Sequence, residues 1–227
     1  MGARTGLVDG PSPGVRTYTP RWRTSPLTAE RMATLLPARE VPEGVLDPVA
    51  TFGRSAPVVV EIGSGHGAAA VAFAASHPEV DLVALEVHVP GVARMLALAE
   101  EVPGGIGNLW VHRGDALPFL TERVAAGSLA GIHLFFPDPW PKKKHAKRRF
   151  VQQHTLDLLA SRLAPGGVLR IATDHAVYAE WAREQLARHG GFAVTEGERP
   201  PWRPTDGFEA KGLRAGRSIT EFTARLP

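Results

Sequence analysis

At 227 residues, with 44% hydrophobic and 22% charged side chains, the chain is ordinary for a globular protein and long enough to bury a substantial core. It has no cysteine, which excludes disulfides, thiolate metal sites and a cysteine nucleophile. A net charge of only +3 makes overall charge a weak argument for nucleic acid. With no apolar run near the roughly 18 residues of a membrane span and no basic-then-apolar leader pattern, a cytoplasmic protein away from membranes is expected.

Residues 1–26 are rich in glycine, proline and arginine and offer little to bury. They read as a flexible basic arm, or as plain terminal disorder, ahead of one domain over residues 27–227. A short helix is expected at Thr28–Leu36. From Pro57 onward apolar strands alternate with helical segments. Strands are expected at Val58–Ile62, Asp81–Val87, Asn108–Arg113, Ile132–Phe136 and Gly167–Ala172, with Phe192–Thr195 and Ser218–Phe222 closing the sheet. Helices are expected at Ala68–Ala75, Gly91–Glu101, Leu117–Ala126, Arg149–Leu163 and Ala176–His189. Strands nearly continuous in Val, Ile and Leu predict an α/β fold: a mostly parallel, seven-stranded sheet with helices on both faces. Such sheets bind ligands beyond the carboxyl ends of their strands. Glu61, Glu86, Asp115, Asp138 and Asp174 all fall at or just after predicted strand ends.

Gly63-Ser64-Gly65-His66-Gly67-Ala68 follows a strand and opens a helix. Its glycines permit a tight turn and close approach of backbone to ligand, while the helix N-terminus adds a positive field. Glu86, about twenty residues on, stands where an acid grips ribose hydroxyls. Loop and acid together indicate an adenosine-containing cofactor, either NAD or S-adenosylmethionine. Glu61, just before the loop, disfavours a pyrophosphate and suits a cofactor carrying a sulfonium and an ammonium group. Asp115 is placed to meet an adenine amino group.

Residues 135–149 read FFPDPWPKKKHAKRR. An apolar strand breaks at Pro137 and presents Asp138, bracketed by Pro139 and Trp140. Lys142, Lys143, Lys144, Lys147, Arg148 and Arg149 follow. A fixed acid, an aromatic and a cationic run suit nucleic acid: the cations meet phosphates, and a ring or acid meets a base. Read alone, the run is equally a solvated basic helix start. Asp174 has two compatible readings, a substrate ligand and the N-cap of the helix that follows it. Trp140 is read evenly as a stacking ring and as a packing plug. Pro200-Pro201-Trp202-Arg203-Pro204 reads as a stiff hinge before the next loop, or as a plain surface connection. His66, His145 and His175 are not spaced as metal ligands, so no metal is expected.

From Pro57 to Phe222 the chain resembles the bacterial tRNA (guanine-N7)-methyltransferases, a group of Rossmann-like, S-adenosylmethionine-dependent enzymes. The likeness rests on GSGHG after Glu61, Glu86, the Asp115-Ala116 pair, FPDPWPKKKHAKRRF, Thr173-Asp174 and FEAKGLRAG. It implies a Rossmann-like methyltransferase fold acting on N7 of a guanine in the tRNA variable loop. By the same likeness Glu61, Gly63, Gly65, Gly67, Glu86, Asp115 and Asp138 would bind cofactor. Asp138 would be catalytic, and Lys142, Asp174, Phe208 and Glu209 would hold tRNA. The family's Thr-x-Phe/Tyr-Glu loop is altered here to Asp206-Gly207-Phe208-Glu209, with Thr205 one place early. Either Thr205 serves after a local shift or Asp206 takes the role. No obligate protein partner is evident, and a monomer or homodimer is expected. Two rival readings are an NAD-dependent oxidoreductase and a noncatalytic RNA-binding module on a methyltransferase fold.

Overall fold

The computed structural model describes residues 24–205 and 207–227. Asp206 and nearly all of the predicted basic arm lie outside the described residues. Chain order gives helix α1 (Pro26–Leu35), α2 (Pro48–Phe52), strand β1 (Val58–Ile62), α3 (Ala68–Ser76), β2 (Asp81–Leu85), α4 (Val89–Glu100) and β3 (Leu109–His112). Then come α5 (Ala116–Pro118), β4 (Leu129–Phe135), α6 (Gln153–Arg162), β5 (Leu163–Thr173), α7 (Ala176–His189), β6 (Ala193–Gly197), α8 (Gly207–Arg214) and β7 (Thr220–Arg225).

The seven strands form one sheet in the order β3-β2-β1-β4-β5-β7-β6. Strands β1 to β5 pair parallel to one another, whereas β7 runs antiparallel to both β5 and β6. The sheet is therefore mixed at one end. Dinucleotide-binding folds run 3-2-1-4-5-6; here an antiparallel strand is inserted between the last two.

Alternation along the strands builds two apolar layers, because successive side chains take opposite faces. Val58, Val60 and Ile62 of β1, with Val83 and Leu85 of β2, pack against Leu156 and Leu159 of α6 and Tyr178 and Leu186 of α7. Val59, Leu82 and Ala84 face the other way, onto Ala70, Val71 and Phe73 of α3 and Val92, Met95 and Leu96 of α4. Strand order reverses between β1 and β4, so the connections after them part and leave a crevice at their carboxyl ends.

Several elements depart from the sequence expectation. The helix expected from Arg149 starts at Gln153, and Lys143–Arg148 instead form a short 3-10 turn. Thr155 accepts the Gln152 N–H at 3.0 Å, which caps the helix there. The segment expected as a helix over Leu117–Ala126 is only a turn of α5 followed by one wide π turn at Phe119–Arg123. Strand β5 begins four residues early and carries Pro165-Gly166 within it, beside a register shift on β4 between Leu129 and Gly131. Helices α2 and α8 were not foreseen.

Candidate active site

A cleft of about 680 Å³ opens over the carboxyl ends of the parallel strands. Glu61, Glu86, Asp115 and Asp138 all line it, together with the glycine loop. Gly63, Gly65 and Gly67 adopt φ of 71°, 56° and 82°, the left-handed region that only glycine enters freely. The N–H groups of Gly63 and Ser64 both donate to the Leu85 carbonyl, at 2.9 and 3.2 Å, which ties the loop to the end of β2. A Cβ on Gly67 would fall 2.2 Å from the Met95 side chain, so helix α4 closes directly on the loop.

Glu86 is buried, and each of its oxygens accepts a backbone N–H at 2.7 Å, one from Gly65 and the other from His88. Its first task is thus to fasten the glycine loop to the start of α4. Each carboxylate oxygen still has a lone pair for a ligand hydroxyl. Asp115 accepts the Leu117 N–H at 2.9 Å and so fixes the turn after β3. Glu61 is buried too, its Oε2 3.6 Å from His133 Nδ1, and neither atom has a hydrogen-bond partner among the described residues. Burial pushes the His133 pKa down, against the pull of Glu61, which favours the neutral imidazole.

Asp138 stands between two non-glycine residues with left-handed backbones, Phe136 at φ 51° and Trp140 at φ 39°. Each such conformation costs on the order of 1–3 kcal/mol and persists only where the surroundings over-determine it. The surroundings here are arginines. The Arg148 guanidinium lies 4.8 Å from the Trp140 ring, and that of Arg203 lies 5.5 Å from Phe136. Arg149 donates to the Pro139 carbonyl at 3.2 Å and to the Trp140 carbonyl at 3.1 Å, and its guanidinium covers Trp181 at 4.8 Å. The Asp138 side chain is exposed to the cleft, yet neighbouring atoms remove enough water to raise its carboxyl above the ordinary range.

The remaining residues singled out in the sequence lie at and around this cleft as follows. Arg149 is buried against the loop it follows, so the cations open to a phosphate in this run are Lys142, Lys143, Lys144 and Lys147. Lys142 and Asp174 do not line the cleft. Asp174 binds Arg217 at 2.7 Å and does not cap α7, whose N-cap is His175 with no side-chain capping bond; Thr173 accepts the His175 N–H at 3.2 Å in the turn before the helix. Phe208 is exposed at the cleft wall. Glu209 also lines the cleft but is only 2% exposed, its oxygens held by Arg199 at 3.3 Å and Arg203 at 3.1 Å. Sequence reasoning missed Lys211 and Arg214 of α8, which line the cleft together with Arg148. Their spacing of three residues from one another was a readable sign of one cationic helix face.

A family profile described as "Putative methyltransferase" matches residues 55–222. The chain is 47% identical over 193 residues to the tRNA (guanine-N(7)-)-methyltransferase of Halorhodospira halophila, covering 82% of this chain and 83% of that one. It is 42% identical to the enzyme of the same name from Thiobacillus denitrificans, over 95% of this chain and 97% of that one. Among solved structures, the 16S rRNA methyltransferase KamB superposes with a TM-score of 0.58 at 17% identity, over 83% of this chain and 98% of that one. The 16S rRNA (adenine(1408)-N(1))-methyltransferase of Catenulisporales acidiphilia superposes with a TM-score of 0.56 at 18% identity, over 83% and 97% of the two chains. Both likenesses concern the fold.

Proposed function

This chain belongs to the tRNA (guanine-N(7)-)-methyltransferase family, and from that premise we propose that its cleft directs a methyl group from S-adenosylmethionine to N7 of a guanine in the tRNA variable loop. The observation that carries the choice of donor is the convergence of four carboxylates, Glu61, Glu86, Asp115 and Asp138, on one glycine-lined cleft. A pyrophosphate would be repelled there. A donor with a cationic sulfonium, an ammonium, a ribose and an adenine, and no phosphate, fits each acid to a group.

In this reading Glu61, buried with its Oε2 unpaired in hydrogen bonding among the described residues, offers an acceptor for the ammonium end. Glu86 keeps the loop folded and offers its remaining lone pairs to the ribose hydroxyls. Asp115 fixes the turn that borders the adenine. S-adenosylmethionine supplies an activated methyl, which passes to the N7 lone pair as the carbon–sulfur bond breaks and positive charge moves onto the purine. Guanine N7 carries no proton, so no base is needed to make the nucleophile. The chain's work is alignment and exclusion of water, and alignment can supply up to about 7–11 kcal/mol at the favourable limit.

Asp138 projects from its braced loop toward the junction of donor and guanine. It accepts hydrogen bonds from the guanine N1–H and 2-amino edge, and its charge stabilises the ring as it becomes cationic. Lys142, Lys143, Lys144 and Lys147, exposed on the segment after the Asp138 loop, meet phosphates, and Phe208 contacts the substrate from α8. Residues 27–227 act as one methyltransferase unit.

The test is transfer of labelled methyl from S-adenosylmethionine to unmodified tRNA, with wild type beside Asp138→Ala and the product mapped by cleavage at N7-methylguanine. We expect label at a variable-loop guanine and a loss of about 100-fold or more in the variant. Label at another guanine would overturn the position. Cofactor binding without label would favour a noncatalytic RNA-binding module, and stabilisation by NAD alone would favour an oxidoreductase.

A further inference from the structure

The connection between β6 and β7 contains the largest fully buried side chain of the described residues, Arg203 at 2% exposed. It is a charged group beneath the proposed catalytic loop, and the mechanism above does not use it. Its Nη1 and Nη2 pair with the two oxygens of Glu221 on β7, the first at 3.0 Å. Its Nε donates to Glu209 of α8 at 3.1 Å. Its face covers the rings of both Phe135, at 4.7 Å, and Phe136, at 5.5 Å.

That double contact is informative. Consecutive strand residues present side chains to opposite faces, so two adjacent rings do not normally meet one group. They do so here because Phe136 turns left-handed at φ 51°, while its N–H still donates to Ala172 at 2.8 Å as though the strand continued. The guanidinium holds the Phe136 ring on the side that this turn creates. Pro137 and Asp138 follow at once, so the direction in which the carboxylate leaves the strand depends on Phe136 staying there. Trp202 anchors the other side, with its ring 5.4 Å from His133 and 5.0 Å from Phe73.

We propose that Arg203, clamped between Glu209 and Glu221, is a positioning residue for methyl transfer: it fixes the left-handed turn at Phe136 and thereby aims Asp138. Glu209 then serves the reaction through Arg203, beneath the surface on which RNA lies. The planar guanidinium is essential to this role, since an ammonium group cannot hold a carboxylate with two parallel N–H groups while stacking on two rings.

The inference rests on the proposed methyl transfer, so wild-type turnover is measured first. A wild type that leaves tRNA unmethylated overturns that function and this inference with it. With an active wild type, the variants are Arg203→Lys, Arg203→Met combined with Glu221→Gln, and Glu209→Gln. The double variant removes Arg203 and Glu221 as a pair and leaves Glu209 with Arg199, 3.3 Å away, which limits the cost to folding. Folding is followed by Tm, cofactor binding by affinity for S-adenosylhomocysteine, and catalysis by kcat and KM for tRNA.

For the double variant we expect kcat to fall about tenfold or more, the scale of a misaligned reactive group, with KM and S-adenosylhomocysteine affinity within about twofold of wild type. Arg203→Lys should lose kcat likewise despite retaining the charge. Glu209→Gln should show a smaller loss of the same kind and decides the matter if the Arg203 variants do not fold. The low-pH limb of the kcat profile should move toward the ordinary carboxylate range as Asp138 swings into water. Wild-type kcat in a folded variant would overturn the inference. So would losses of kcat and S-adenosylhomocysteine affinity that fall together with Tm, or a tRNA KM defect with kcat intact.

Discussion

Two loops meet in the cleft, and they reach the same backbone region by opposite means. The loop after β1 uses glycine at each left-handed position, Gly63, Gly65 and Gly67, where no Cβ opposes the turn. The loop after β4 places Phe136 and Trp140 in that region and holds them with arginines. The first loop must let a ligand approach its backbone, so it is made of residues without side chains. The second must point one carboxylate from a fixed place, so its large rings provide the surfaces by which it is gripped. Glycine gives conformation without leverage; an aromatic gives leverage at the expense of strain.

Gly67 is the most sensitive position of the two loops. Gly67→Ala adds both a left-handed penalty and a Cβ 2.2 Å from Met95, so we expect a loss of about 2–4 kcal/mol in chemical denaturation and loss of cofactor binding. Gly63→Ala separates the two terms. Nothing lies within 4 Å of its Cβ, so only the conformational penalty of about 1–2 kcal/mol remains. Equal losses at the two positions would show that backbone conformation alone governs the glycine loop.

In the arginine-held loop the corresponding change is Arg149→Met. It leaves the Pro139 and Trp140 carbonyls without their donor and removes the cover on Trp181. Unpaired buried groups of this kind cost about 1–3 kcal/mol. We expect a Tm drop with turnover reduced and S-adenosylhomocysteine affinity retained, because the glycine loop is untouched. Cofactor affinity falling along with turnover would mean the two loops act as one unit.

How much of this contrast could be read from the chain differs between the two loops. Gly63, Gly65 and Gly67 announce their backbone by their identity, and Glu86 was found by its distance along the sequence. Asp138 was also legible, because Pro137 and Pro139 mark a break at a strand end. The braces were not. Arg148 and Arg149 look alike in a run of six cations, yet one stacks on Trp140 at the cleft and the other is buried. Composition marks a charge as solvated by default, and only tertiary packing reveals an arginine spent on carbonyls and rings. Arg203, 67 residues after Phe136 in the sequence, carries no local signal of its contact with it. The helix boundary failed for the same reason: the run from Arg149 has helical composition, but Arg149 is held outside α6 by the loop.

The exposed lysines sharpen the division between holding and binding. Lys142→Ala with Lys143→Ala should leave Tm unchanged and lower the salt slope of tRNA binding by about one for each phosphate contact removed. An unchanged slope would remove these two side chains from the phosphate interface and leave Lys144 and Lys147, with Lys211 and Arg214 of α8, as the cations to be tested next.

The smallest effect concerns Asp138 itself. Its carboxyl is raised above the ordinary range because the surrounding loop strips it of water, so the native state holds the proton more tightly than the unfolded chain. Stability contributed by this group must therefore fall as pH rises from the ordinary carboxylate range through the raised value. Asp138→Asn removes the ionisation, so the variant should match wild type in acid and melt slightly higher at neutral pH, while losing turnover. A variant that melts lower at neutral pH would assign the carboxylate a structural bond, as Glu86 has. A slightly higher Tm with poor turnover would show that the braced loop carries a charge the fold alone would discard, as expected of a group placed for a cationic transition state.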